Sequence, residues 1–214
     1  MTTWAIFQGI GIGFAIAAPV GPIGMLCIRR TLHHGPVVGL ATGLGAATAD
    51  AMYGLVAAGG LGLAAWLLGH AAALGLVGAL LLALMGVESL RAFLRKSRAR
   101  VGAKAAGDAP TPRTSPSVAF ASTFALTASN PMTILSFVGV IAALGATGAG
   151  AGAAAWLLVA GVFLGSALWW LLLVALVRLA RRAFSPDALR WVDLVTAIIL
   201  LGTAAWVAMK TSAS

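Results

Sequence analysis

Charged residues are scarce in this chain of 214 residues. Asp, Glu, Lys and Arg together make up 9% of the sequence, whereas soluble globular proteins carry about a quarter. Hydrophobic residues make up 61%, and the mean hydropathy is +1.02. This composition excludes a soluble fold and predicts an integral membrane protein.

Cysteine is nearly absent as well. Cys27 is the single cysteine, so the chain can form no internal disulfide, no CxxC redox motif and no thiolate-rich metal site of its own. We expect a buried structural role for Cys27, and we expect neither a bound metal nor a cofactor.

A third missing feature is the alternation of apolar and polar residues that a membrane β-barrel requires. The chain instead contains six apolar stretches that meet or nearly meet the roughly 20 residues a helix needs to cross the bilayer. They are Trp4–Ile28, Val37–Ala58, Leu61–Val87, Val118–Leu144, Ala153–Val177 and Trp191–Met209. We therefore predict an all-α integral membrane protein with six transmembrane helices.

The Lys and Arg residues sort by their position between these spans. Of the 14, all but Lys210 follow span one, three or five, and so lie on one face of the membrane. Because cytoplasmic segments carry the excess of Lys and Arg, the pattern predicts a multi-pass protein of the cytoplasmic (inner) membrane with both termini outside. It also explains the net charge of +9 without nucleic acid as a partner.

Segment 94–117 is basic and rich in Ala, Pro and Ser, which is typical of a flexible linker on the cytoplasmic side. It separates residues 1–93 from residues 118–214, and each part contains three predicted spans. The chain is therefore expected to consist of two three-helix halves joined by this linker.

The two halves share short motifs at corresponding places. Phe14–Ala18 (FAIAA) matches Phe124–Ala128 (FALTA), and Gly43–Ala57 matches Gly161–Ala175, each with a glycine and a small hydroxyl residue. Since a unit of three spans must insert in opposite orientations, the pattern predicts two inverted repeats, which is a known plan of transporters.

Proline interrupts span one just past its middle. The sequence Pro19–Pro22 (PVGP) removes backbone donors and clashes with the preceding turn, so we expect a broken helix near the midplane. Carbonyl groups near Ala17 and N–H groups near Gly24 and Met25 would be exposed. These opposite dipole ends suit an ammonium and a carboxylate, respectively.

Span four carries a counterpart in Ser129-Asn130-Pro131, where Asn is a favourable N-cap and Pro a favourable first helical residue. Paired breaks at corresponding positions of two halves are typical of a transport site. The alternative is two structural kinks without a ligand.

Asp50 lies near the middle of span two, where an ionised carboxylate costs roughly 2.5–3.5 kcal/mol. No Lys or Arg lies in the central parts of the spans to neutralise it. Asp50 therefore holds a proton, coordinates a cation or meets a cationic substrate group, unless it is a permanently protonated carboxyl in an interhelical hydrogen bond. Tyr53 shares its helical face, which we expect to point inward.

Other titratable residues are expected to be structural. Asp193 lies near a span end beside a basic residue, which indicates a solvated or interfacial role, and His33 and His34 fall in a predicted cytoplasmic loop beside Arg29 and Arg30. Since no histidine is placed near the buried acid of span two, an intramembrane enzyme with a histidine base is a weaker alternative. We assign no catalytic residue.

The stretch Pro19–Tyr53, PVGPIGMLCIRRTLHHGPVVGLATGLGAATADAMY, resembles the Pro-Gly-Pro-type motif, short basic loop and Gly-rich second helix of the LysE/RhtB family of amino-acid exporters. Asn130-Pro131 is similar to the family's motif in the second half. The resemblance implies a secondary transporter driven by a proton or ion gradient, in which Asp50 also serves in coupling. It implies a substrate site formed by Pro19, Gly21, Pro22, Gly24, Asp50, Tyr53, Asn130 and Pro131.

The resemblance leaves the substrate open among lysine or arginine, homoserine or threonine, and other small amino acids or related amines. A metal-cation exporter of the same superfamily is an alternative, although the single cysteine argues against a thiolate-rich site. The expected partners are the small-molecule substrate and the lipid bilayer. A homodimer would fit the small-residue pairs Gly39/Gly43 and Gly161/Gly165, which packing within one chain explains equally well.

Overall fold

The fold is known from a computed structural model, which describes residues 2–19, 21–59, 69–101, 114–130, 133, 136–137, 153–181 and 185–212. These ranges are almost entirely helical, in agreement with the predicted all-α chain. Their helices are α1 (Thr2–Ala17), α2 (Pro22–His34), α3 (Pro36–Gly59), α4 (Ala71–Val101), α5 (Pro116–Ala128), α6 (Ala153–Ala180) and α7 (Pro186–Ser212).

Three described helices are long and apolar enough to cross a membrane. They contain the spans Ala72–Arg95 in α4, Ala154–Ala180 in α6 and Asp187–Thr211 in α7. The pair α1 and α2 passes the same test only when it is taken together, with a bend of 81° between its members. The described residues thus hold three clear spans, or four with the bent pair, and the six-span arrangement stays a prediction.

The helix ends agree with the predicted spans in some places and differ in others. α3 and α6 coincide closely with predicted spans two and five. α4 continues to Val101, so the first residues of the predicted linker 94–117 are helical. Residues 102–113 of that linker lie outside the described residues.

The prediction of a short basic loop after span one is wrong. Arg29, Arg30, His33 and His34 lie within α2, and the single residue Gly35 connects α2 to α3. Gly35 has a φ of +92°, a conformation that a residue without a Cβ adopts at no steric cost. The tight turn brings the charged end of α2 against α3 instead of leaving it in water.

The most extensive helix contacts join the two halves of the chain. α1 packs on α6, α4 on α7, and α3 on both α5 and α6. Glycine allows the closest of these approaches, since a Cβ added to Gly165 of α6 would lie 2.0 Å from the Ile10 carbonyl oxygen of α1. The helices of the first half are therefore packed mainly against those of the second.

The small-residue pairs considered for a dimer interface are used in this packing. Added Cβ atoms would lie 2.3 Å from the Ile6 carbonyl oxygen at Gly161 and 2.4 Å from the Trp170 Cβ at Gly43. Packing within one chain accounts for these pairs, and a homodimer stays a prediction. Cys27 is fully buried, as predicted, and its thiol lies 3.6 Å from the Gly39 carbonyl oxygen.

Candidate functional site

The backbone between α1 and α2 leaves helix, as the two prolines of the first span predict. The Ala18 N–H donates to the Phe14 carbonyl at 2.9 Å, and α2 resumes at Pro22. Pro19 cannot donate the next bond of this series, so the carbonyl oxygens that follow Phe14 lack their helical partners. The end of α1 therefore presents acceptors at the break.

The start of α2 presents donors at the same break. Gly21 occupies the N-cap with an extended backbone and no side-chain cap. The Met25 N–H donates to the Gly21 carbonyl at 3.0 Å, so it is not among the exposed donors that the sequence predicts. Pro22 has no N–H, and the first-turn groups without a helical acceptor are those of Ile23 and Gly24.

Asp50 lies on α3 with only 3% of its surface exposed. Its Oδ2 accepts a hydrogen bond of 2.6 Å from the Ser166 hydroxyl of α6. The Trp170 indole Nε1 donates to the same Ser166 oxygen at 3.2 Å. Since an indole N–H can only donate, Ser166 accepts from Trp170 and gives its own hydrogen to Asp50.

The ion pairs among the described residues do not involve Asp50. Those found within 4.0 Å join Asp193 to Arg29 and His33. The carboxyl of Asp50 is thus held by a neutral hydroxyl and has no cationic partner in the described part of the chain. A buried charge of this kind requires compensation from a proton or a ligand.

Two adjoining cavities open at the break. The smaller has a volume of about 90 Å³ and contains the Asp50 side chain in its wall. The larger has a volume of about 350 Å³ and extends between α4, α5 and α7, which is within the range of about 300–1,000 Å³ usual for small-molecule sites. Both are lined by Ile16, Pro19, Gly21, Pro22, Ile23, Asn130 and Thr133.

Six of the eight site residues proposed from the sequence share the smaller cavity. These are Pro19, Gly21, Pro22, Gly24, Asp50 and Asn130. Pro131 lies outside the described residues. α5 ends at Ala128, and Asn130 follows in non-helical backbone, so the second-half motif also stands at a helix end.

Tyr53 lines neither cavity. It is buried one turn beyond Asp50, its ring stacks on Phe137 with centroids 5.5 Å apart, and its hydroxyl donates to the Ala128 carbonyl. Tyr53 therefore satisfies an acceptor at the end of α5 and fixes α5 against α3. Its geometry gives it a supporting position beside the site rather than a place in the cavity wall.

Neither Ser166 nor Trp170 is among the site residues proposed from the sequence. Trp170 does line the smaller cavity together with Asp50 and Thr127. The sequence offers one indication of Ser166, because the comparison of the two halves aligns it with Thr48, another small hydroxyl residue. Thr48 donates to its own Leu44 carbonyl at 2.7 Å, however, so the two hydroxyls differ in what they bind.

A second polar region, which we call the charge cluster, comprises Arg29, Arg30, His33 and Asp193. Asp193 is fully buried, with its Oδ1 2.7 Å from the Arg29 Nε and 3.0 Å from the His33 Nε2. The solvated or interfacial role expected for Asp193 is therefore wrong. These contacts hold α2 against α7.

Arg30 extends the charge cluster to α3 and α5. Its guanidinium donates to the hydroxyls of Thr42, Ser122 and Thr123 at 3.3, 2.9 and 2.9 Å, and to the Ala119 carbonyl at 3.1 Å. Arg30 is 5% exposed. A buried guanidinium with several acceptors is satisfied within the protein.

The described residues contain no group of three or more His, Cys, Asp or Glu side chains arranged to hold a metal ion. His33 faces Asp193 and His70 is exposed at the start of α4. The histidine pairing that an enzyme using Asp50 would need is absent from this part of the chain.

Comparison with known proteins gives one family. A family model described as LysE type translocator matches residues 14–211, nearly the whole chain. No curated protein and no solved structure matches the chain. The matched region includes the break between α1 and α2, the end of α5, Asp50 and the charge cluster.

Proposed function

The chain belongs to the LysE type translocator family, and on this premise we propose that it is a secondary transporter that exports amino acids or related small amines. Asp50 carries the proposal. It is the one buried acid of the described residues that lacks a cationic partner, and it stands in the wall of a cavity at a helix break. Ionisable residues inside a membrane span mark substrate or ion pathways.

The two sides of the break suit the two charges of an amino acid. The substrate ammonium pairs with Asp50 and with the carbonyl oxygens at the end of α1, where the helix dipole is negative. The substrate carboxylate meets the first-turn N–H groups of Ile23 and Gly24, which line the same small cavity. When no substrate is bound, a proton on Asp50 takes the place of the substrate ammonium and neutralises the carboxylate. This exchange couples export to a proton gradient.

The inverted-repeat plan belongs to this proposal and is supported by the helix contacts. In an inverted repeat, span one (α1 and α2) corresponds to the span that contains α5, and α3 corresponds to α6. The contact of α1 with α6 in one arrangement is then equivalent to the contact of α5 with α3. Both are among the most extensive in the fold. The α3–α6 and α4–α7 contacts convert into themselves. A two-fold relation of this kind lets one half move against the other around a fixed central site.

The orientation with both termini outside also belongs to the proposal. Its support is the distribution of Lys and Arg, with Lys210 alone at the outer end of α7. Because Cys27 is buried, a cysteine introduced at Lys210 can be labelled selectively with an impermeant maleimide. Labelling from the periplasmic side supports the orientation, and labelling only after the inner face is exposed contradicts it.

The transport function is tested in sealed liposomes that contain the purified protein. Vesicles loaded with a mixture of labelled amino acids are diluted into buffer, with and without an imposed pH gradient, and the retained label is measured. We expect efflux that depends on the protein and is accelerated by the gradient. Efflux equal to that of protein-free vesicles for every amino acid would contradict the proposal.

A further inference from the structure

The two cavities hold a single charged side chain among the described residues that line them. That side chain is the carboxyl of Asp50, and none of the lining residues is Lys, Arg or His. The site therefore offers one negative group and otherwise only neutral polar and apolar surface.

The whole sequence supports this count of charges. The chain has five acidic residues. Four lie elsewhere: Asp193 faces the charge cluster, Glu88 and Asp187 are exposed, and Asp108 lies in the linker that follows α4. Residues 60–68 and 131–152, of which only 133, 136 and 137 are described, contain no Asp, Glu, Lys, Arg or His, so they add no charge to the site.

The larger cavity adjoins the smaller one and is mainly apolar. Its walls away from the helix break are formed by Ala79 and Leu82 of α4, Leu126 of α5 and Val207 of α7. The hydroxyl of Thr203 adds a neutral polar group. An apolar wall favours an apolar ligand group, because its burial removes nonpolar surface from water.

We propose that the transported substrate is an amino acid with an uncharged, largely apolar side chain, which occupies the larger cavity while its ammonium group lies at Asp50. This proposal rests on the export function proposed above. A second ammonium, as in lysine, or a guanidinium, as in arginine, finds no second carboxylate in the site. The side-chain carboxylate of glutamate finds no Lys or Arg. Burying either charge unpaired carries a large desolvation cost.

The first test is a panel of single labelled amino acids with the unmodified protein in liposomes. We expect efflux of leucine and methionine to exceed efflux of lysine, arginine and glutamate by roughly 100-fold, the discrimination expected when an unpaired charge is buried. Efflux of lysine or arginine at the rate of leucine would overturn the inference and leave the export function standing. Efflux of none of the panel would contradict the export function itself.

The second test changes the size of the larger cavity. Ala79→Leu adds bulk to its wall and should lower leucine efflux at least about tenfold relative to alanine efflux, since steric fit separates side chains by roughly 10–200-fold. The matched control is Leu80→Phe on the same helix, where the side chain is 61% exposed and the ratio should not change.

A second variant tests the same cavity if Ala79→Leu does not fold. Val207→Ala enlarges the cavity from the α7 side, and we expect it to raise phenylalanine efflux relative to leucine efflux. If the ratio of efflux rates is unchanged in whichever of these variants is recovered as folded protein, the larger cavity is not the side-chain site and the inference is wrong.

Discussion

Asp50 and Asp193 are both buried aspartates, with 3% and 0% of their surfaces exposed, but they have different partners. Asp193 contacts Arg29 and His33 on α2, so its charge is balanced within the chain. Asp50 accepts from the neutral Ser166 hydroxyl and lines a cavity. Burial alone therefore does not distinguish the two acids, whereas the adjoining cavity and the lack of a cationic partner among the described residues set Asp50 apart.

The two regions also differ in what they connect. The charge cluster holds α2 against α7 and, through Arg30, against α3 and α5. The region around Asp50 joins α3 to α6 by one hydrogen-bond chain and leaves space beside the helix break. We therefore expect substitutions in the charge cluster to act on folding and substitutions around Asp50 to act on transport.

The largest effect on transport is expected from Asp50→Asn. The amide keeps the size of the side chain and its contact with Ser166, but it can neither ionise nor carry a proton. Gradient-driven export should fall to the level of protein-free vesicles, while the folded protein is recovered in normal amount by size-exclusion chromatography. Full export by Asp50→Asn would assign the residue to an interhelical hydrogen bond and remove it from the mechanism.

The same variant separates two roles for Asp50. If the carboxylate binds the substrate ammonium, Asp50→Asn should abolish substrate binding as well as export. If it only carries the coupling proton, substrate binding and exchange of labelled for unlabelled substrate across the membrane should persist. Equilibrium binding and exchange assays on one preparation distinguish these results.

The second effect concerns stability. Asp193→Ala leaves Arg29 buried without its anionic partner, and removing one partner of a buried ion pair costs about 3–5 kcal/mol. We expect a lower yield of folded protein and a clear decrease in the thermal unfolding temperature in detergent. Export per folded molecule should change much less than it does in Asp50→Asn.

A double substitution provides the control for the charge cluster. Replacing both partners, in Arg29→Met with Asp193→Leu, removes the buried charges together, and such replacements are often neutral for stability. Recovery of the unfolding temperature would confirm a structural pair. Recovery of stability without recovery of export per molecule would contradict the division drawn here, because the pair would then act in transport itself.

A third and smaller effect is expected at Ser166. Ser166→Ala removes the donor to the Asp50 Oδ2, and a hydrogen bond to a charged group contributes about 1.5–3 kcal/mol. Export should fall roughly tenfold or more without loss of folded protein, since alanine fits the space of serine. Trp170→Phe, which removes the donor to Ser166 together with part of the indole ring, should have a weaker effect in the same efflux assay. A larger effect of Trp170→Phe would mean that the indole contacts substrate directly.

The sequence predicts the part of the site that depends on local rules. Proline determines the break between α1 and α2, because it lacks the backbone N–H that a helix interior requires, and glycine has a low preference for helix. Asp50 is identifiable because an acid within an apolar stretch is costly. These inferences need no knowledge of which helices are neighbours.

The contacts of Ser166 and Asp193 could not be predicted in the same way. Ser166 is separated from Asp50 by 116 residues and Asp193 from Arg29 by 164, so their roles depend on how α6 and α7 pack. The sequence predicts a loop at the charged end of α2, because a basic segment between apolar stretches normally lies in water. Burial of Arg29 and Arg30 becomes possible only when partners from α5 and α7 surround them.

The smallest effect is expected at Thr48, the hydroxyl residue that the repeat comparison pairs with Ser166. The Thr48 hydroxyl donates to the Leu44 carbonyl within its own helix, and alanine has a higher helix propensity than threonine. Thr48→Ala should therefore leave both export and the unfolding temperature essentially unchanged, which efflux and thermal unfolding measured beside Ser166→Ala will check. In an inverted repeat the two halves exchange roles as the site opens to the other side. A loss of export in Thr48→Ala comparable to that in Ser166→Ala would contradict this prediction. It would indicate that each hydroxyl supports the site in one of the two states of the transport cycle. The observed contact of Asp50 with Ser166 would then represent only one of these states.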